Sequence, residues 1–84
     1  MPLTTAQSLR IRVTRDGEPE LQLTFPAWAA ASLEQLIPDE LKPEIASRRE
    51  ELHESARWAA SAGYPVGELL TVDEGGTSIR VWLE

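Results

Sequence analysis

Both ends of the chain alternate apolar and polar residues with a period of two, and the middle repeats every three to four residues. From Leu9 to Arg15 (LRIRVTR), Leu9, Ile11 and Val13 share one side of an extended chain, and Arg10, Arg12 and Thr14 share the other. The run ELQLTF, Glu20 to Phe25, repeats the pattern with Leu21, Leu23 and Phe25 set against Gln22 and Thr24. Between them RDGEP supplies turn residues, so the two runs predict a hairpin. Parity selects its register, because a slip of one residue turns every side chain to the opposite face. A two-residue Asp16-Gly17 loop sets Val13 against Glu20, whereas a three-residue loop sets Val13 against Leu21, Ile11 against Leu23 and Leu9 against Phe25. The second keeps the apolar sides together, and a three-residue loop is expected despite the Asp-Gly dipeptide.

The last stretch, GELLTVDEGGTSIRVWLE, reads as a second hairpin. With Gly75-Gly76 as a two-residue loop, Val72 meets Ile79 and Leu70 meets Val81, all four pointing inward. The other side then pairs Thr71 with Arg80 and Leu69 with Trp82, so the indole gains an apolar neighbour on a polar face.

Two helices are expected between the hairpins. Pro26 suits a first helical position, Ala27 to Ile37 is rich in alanine and leucine, and Pro38 ends the run, with Ala29, Leu33, Leu36 and Ile37 as the buried stripe. The second helix begins within PDELKPE, with Asp39 as cap or Pro43 in its first turn, and stops at Ala62-Gly63 ahead of Pro65. Leu41, Ile45, Leu52, Ala56 and Ala59 form its narrow stripe, with Arg48 in the middle.

The expected architecture is therefore α+β: a four-stranded antiparallel sheet from two hairpins, with two helices packed on one face, in the order ββααββ. All 84 residues belong to one domain, residues 1–7 being a flexible N-terminal segment. The helices cover one face of the sheet. Arg10, Arg12, Gln22, Thr24, Leu69, Thr71, Arg80 and Trp82 are left on the other with nothing from this chain to cover them.

LRIRVTRDGEPELQLTFP followed by an alanine- and leucine-rich helix, with GELLTVDEGGTSIRVWLE at the close, resembles a small bacterial domain of unknown function. That domain occurs alone or at the N-terminus of adhesin-like repeat proteins of the envelope-stress (YvlB-type) group. The resemblance spans most of the chain and implies the ββααββ order, but it carries no catalytic residue across. The segment from Lys42 to Gly63 departs from it, being longer and more charged.

Composition narrows the functional classes. A chain of 84 residues holds one thin core and no deep enclosed cavity, which weighs against an enzyme. No apolar run approaches the ~18 residues of a membrane span. The absence of cysteine excludes disulfides and thiolate metal sites, and the start MPLTTAQS lacks a signal-peptide pattern, so a cytoplasmic location is expected. The net charge of −6 repels phosphate backbones unless the bases gather on one surface.

No catalytic or metal constellation is expected. The single histidine, His53 in REELHES, is flanked by Glu50 and Arg57 at helical spacing and reads as part of a solvated helix surface. Ser55 is two residues from His53, a spacing that points the two apart on a helix. Asp73 and Glu74 sit at a hairpin turn, and Gly75-Gly76 joins strands without opening a helix, as a phosphate loop would. No cofactor is called for.

A protein partner fits better, with Arg10, Arg12, Leu69, Arg80 and Trp82 as the interaction surface, since tryptophan and arginine are enriched at binding hot spots. Trp28 and Trp58 also lie off their helical stripes. Two readings of the tryptophans stay open. In one, Trp28 and Trp58 close the edges of the core while Trp82 stacks on Arg80 or Arg12. In the other, they belong to a surface by which the protein forms a homo-oligomer or binds another protein. Binding of an anionic ligand or a single nucleic-acid strand on Arg10, Arg12, Arg80 and Trp82 is the alternative. It is disfavoured by the net charge and by Glu20 and Glu84 beside the patch.

Overall fold

A computed structural model describes residues 5–84. Four antiparallel strands, β1 (Ser8–Arg15), β2 (Glu18–Pro26), β3 (Gly67–Glu74) and β4 (Thr77–Leu83), form one open sheet, with the helical segments between β2 and β3. The order across the sheet is β2-β1-β4-β3, so the hairpins join through β1 and β4. Those two strands are central, and their inward residues Leu9, Ile11, Val13, Ile79, Val81 and Leu83 are fully buried. The fold is the expected ββααββ arrangement.

The first hairpin pairs as parity demands, with Val13 opposite Leu21, Ile11 opposite Leu23 and Leu9 opposite Phe25. Its loop, however, is the tighter one. Asp16 and Gly17 both have positive φ (52° and 82°), as a type I′ turn needs, and Arg15 pairs directly with Glu18. A bulge between Val13 and Thr14, opposite Glu20, absorbs the odd residue and restores the apolar register. Dipeptide and pattern are thus both obeyed, where a three-residue loop was expected.

The second hairpin turns on Gly75 and Gly76, again with positive φ, and pairs Val72 with Ile79 and Leu70 with Val81. The two turns touch: the Asp16 N–H donates to the Gly76 carbonyl at 2.8 Å. Beyond Leu70 the expected register fails. A bulge between Glu68 and Leu70 brings Glu68, not Leu69, opposite Trp82, and Leu69 turns inward to 7% exposure. The gain in apolar burial drives this, and the Ser55 hydroxyl on the covering helix fixes it by donating to the Leu69 carbonyl at 2.7 Å. Leu69 is therefore part of the core and not of the open face.

Neither helical segment is continuous. Ala27–Ser32 is a 3₁₀ helix, followed by α1 (Leu33–Leu36), which ends where Pro38 holds Ile37 extended. The second segment is a 3₁₀ turn Asp39–Leu41, then α2 (Lys42–Ile45) with Pro43 in its first turn, a 3₁₀ turn Ala46–Arg48, and α3 (Arg49–Ser61). No side-chain cap satisfies any of these starts, and the segments hold by burial. All five stripe residues of the second segment, Leu41, Ile45, Leu52, Ala56 and Ala59, are buried, and Arg48 pairs with Glu51 at 2.9 Å outside the core. After α3, Gly63 and Tyr64 take positive φ and close the helix by donating to the carbonyls of Ala60 and Ala59.

Of the expected flexible segment 1–7, residues 1–4 lie outside the described residues. Thr5 bridges to Pro65, Ala6 is buried and donates to the Tyr64 carbonyl, and Gln7 donates to Glu84. Residues 5–7 are thus tied to the fold. No helix among the described residues is long and apolar enough to cross a membrane.

Candidate functional site

Strand alternation sends Arg10 and Arg12 of β1, Arg80 and Trp82 of β4, Gln22 and Thr24 of β2, and Thr71 of β3 to the sheet face away from the helices. Arg12 lies directly opposite Arg80, and Arg10 opposite Trp82. Four of the five residues expected to form the surface, Arg10, Arg12, Arg80 and Trp82, are brought together, and Leu69 is not.

The indole is held from several sides. Its ring centroid lies 4.7 Å from the Arg80 guanidinium carbon and 5.5 Å from that of Arg12, and its Nε1–H donates to Glu84 at 2.9 Å. Each cation–π contact at an exposed site is worth about 0.5–1 kcal/mol, and the hydrogen bond satisfies the one polar atom of the ring. Trp82 therefore has a structural reason to stand on a polar face, and it stays half-exposed.

Carboxylates neutralise two of the three arginines. Arg10 pairs with Glu84 at 2.6 Å and Arg80 with Glu68 at 3.1 Å. The hydroxyl of Thr71, with Arg80 behind it, holds the Glu68 carboxyl below the usual carboxylate range. Glu68 reaches this place only through the bulge, so the residue that displaces Leu69 also supplies the face with a second acid. Among the described residues Arg12 has no carboxylate within ion-pair distance. The face thus carries three bases and three acids, since Asp73, bonded to Ser78 beyond Arg80, shares it, yet only Arg12 lacks a carboxylate partner, in a chain whose net charge is −6.

The sheet's two borders differ. Edge strand β2 presents Leu21 to Phe25 without charge or proline, and its inward Leu21, Leu23 and Phe25 are only partly buried, because α3 packs towards β3 and the first 3₁₀ helix towards β1. Trp28 follows at the end of this strand with 69% of its surface exposed. The opposite edge, β3, is bulged and carries Glu68, Asp73 and Glu74. Trp58 on α3 is 48% exposed, so neither helical tryptophan closes the core.

The helical layer carries a separate polar cluster. Glu34 on α1 joins Arg49 at 2.5 Å and His53 on α3, and these contacts, His53 foremost, hold the Glu34 carboxyl below its usual range. His53 and Ser55 diverge, one towards α1 and the other towards β3. A groove of about 450 Å³ adjoins Glu34, with Ile37, Ile45 and Leu52 in its floor and Lys42 and Arg49 at its rim. Those two cations are paired with Asp39 and Glu34 respectively. No group of three or more His, Cys, Asp or Glu placed to hold a metal ion occurs among the described residues.

Comparison with known proteins returns no matching family model, no similar curated sequence and no similar solved structure.

Proposed function

We propose that this chain is a non-enzymatic interaction domain that associates with a second copy of itself along β2, extending the sheet across the contact. The observation that carries the reading is the contrast between the borders: β3 is bulged and acidic, while Leu21 to Phe25 of β2 is neutral, free of proline and half covered. An unpaired, uncharged strand edge with an apolar flank is the usual template for strand addition. Two-fold antiparallel pairing centred on Leu23 brings no like charges together, because Glu18 and Glu20 fall at the outer ends. The exposed indole of Trp28 lies beside such a contact and adds apolar area to it.

Association through the open faces alone is less favourable, since a two-fold contact there crowds Arg12 and Arg80 against their own copies. Pairing along β2 leaves both faces free and sets them side by side. The proposal keeps the cytoplasmic setting expected from the sequence.

Sedimentation velocity tests it. The expected species has twice the 9.3 kDa mass of the chain, and a Gln22→Lys/Thr24→Lys double variant, altered at two exposed positions, sediments as a monomer with an unchanged circular dichroism spectrum. A monomeric wild type, or a dimer indifferent to this double change, refutes the reading.

A further inference from the structure

We infer that the open sheet face is a receptor for an extended protein segment bearing a single carboxylate, which Arg12 binds beside the Trp82 ring. The inference goes beyond self-association and does not depend on it. Arg12 and Arg80 face each other on adjacent strands, where like charges repel. Glu68 compensates Arg80, and Glu84 compensates Arg10. Arg12 is compensated only by the indole, at 5.5 Å, whose quadrupole attracts a cation without satisfying its five N–H donors. A carboxylate arriving at Arg12 meets a donor fork already oriented by the ring and relieves the repulsion from Arg80.

Charge arithmetic separates the candidate partners. A nucleic-acid strand gains affinity by having several phosphates neutralised, and each phosphate needs its own cation. This face has one guanidinium without a carboxylate partner, beside Asp73 and within a chain of net charge −6, so a polyanion is repelled beyond the first contact. One carboxylate flanked by uncharged residues matches the count. The surroundings fit an extended segment: Gln22 and Thr24 on one side and Thr71 on the other are exposed, uncharged and able to hydrogen-bond, and the half-exposed Trp82 ring offers apolar contact. The Arg10–Glu84 and Arg80–Glu68 pairs border this strip and, already neutralised, offer no free cation to a second acid placed next to the first.

The experiment is a ¹H–¹⁵N titration of the full chain, following the Trp82 indole N–H and the Arg12 Nε–H. The probes are acetyl-Thr-Val-Glu-Val-Thr-amide, its glutamine counterpart and an eight-nucleotide oligo-dT. The expected result is saturable movement of both signals with the glutamate peptide, binding weaker by about tenfold or more for the glutamine peptide or for Arg12→Gln, as loss of a charge-assisted contact implies. Arg12→Lys is expected to recover only part of the affinity, because an ammonium cannot grip a carboxylate in two places. Arg12 is exposed, so neither variant threatens the fold. Equal binding of the two peptides, no movement with either, or oligo-dT binding more tightly than the glutamate peptide overturns the inference. Sedimentation of Arg12→Gln separates the two proposals, since its mass is expected to equal that of the wild type.

Discussion

The two hairpins are built from the same parts and put to different ends. Each turns on two residues of positive φ, each carries one bulge in its edge strand, and each gives its inner strand to the centre of the sheet. In the first, the bulge lies next to the turn and restores the apolar register, leaving β2 regularly paired and neutral from Leu21 to Phe25. In the second, the bulge lies at the far end, buries an extra leucine under α3 and turns Glu68 outward. The same device thus leaves one border open to pairing and closes the other. Where a bulge falls along a strand matters as much as whether there is one.

The largest test of this contrast is a matched truncation. Leu70 on β3 is buried at 4% exposure and Leu23 on β2 only partly, so Leu70→Ala is expected to cost about 2–5 kcal/mol in urea unfolding and Leu23→Ala clearly less. Equal costs would mean that β2 is as well covered as β3. The turns come next. Gly17→Ala and Gly76→Ala each force an L-residue to φ of +82°, at about 1–2 kcal/mol. Gly76→Ala is expected to cost slightly more, because its new Cβ falls 2.7 Å from Asp16 Oδ1 and the exposed carboxylate must swing aside, while nothing lies near Gly17. Asp16→Ala, made alone to measure its own cost at positive φ and then added to Gly76→Ala, should remove that excess, and thermal melts of the four variants measure it.

Smaller again is Ser55→Ala, which strips the Leu69 carbonyl of its hydroxyl donor and is expected to cost about 1 kcal/mol, with faster amide exchange confined to the β3 end around the bulge. The smallest effect is on pH. Glu68 and Glu34 are both held below their ordinary value of 4.5, so the stability they contribute is complete above that value and is lost as the pH falls through their lowered folded values. Acid should therefore loosen the β3 border and the α1–α3 contact, and Glu68→Gln should flatten the acid limb of the unfolding midpoint plotted against pH.

Most of the architecture could be read from periodicity, because the strands are half-buried and the helical stripe is clear: every inward pairing expected of Leu9, Ile11, Val13, Leu70 and Val72 is present. The errors cluster where one residue must be inserted. In the first hairpin the Asp-Gly dipeptide and the apolar parity demand different loop lengths, and a bulge satisfies both. In the second, Leu69 and Leu70 stand side by side in an alternating strand, which is itself the mark of a bulge, and strict parity carried Leu69 to the wrong face. The breaks in the helices follow from Pro38, Pro43 and the missing caps, yet the switch from α to 3₁₀ turns depends on packing that no local pattern contains. The surface around Trp82 was visible as residue types on one side of a sheet. Which arginine is left uncompensated was not, because it depends on Glu68 arriving through the displaced register.

The sheet order β2-β1-β4-β3 places the first and last strands of the fold at its centre. A nascent chain that has cleared the ribosome only as far as β3 owns both borders and half the middle, with Leu9, Ile11 and Val13 still without their β4 neighbours Leu83, Val81 and Ile79. Closure waits for the final seven-residue strand, so the domain folds after synthesis of β4 and not alongside that of β1.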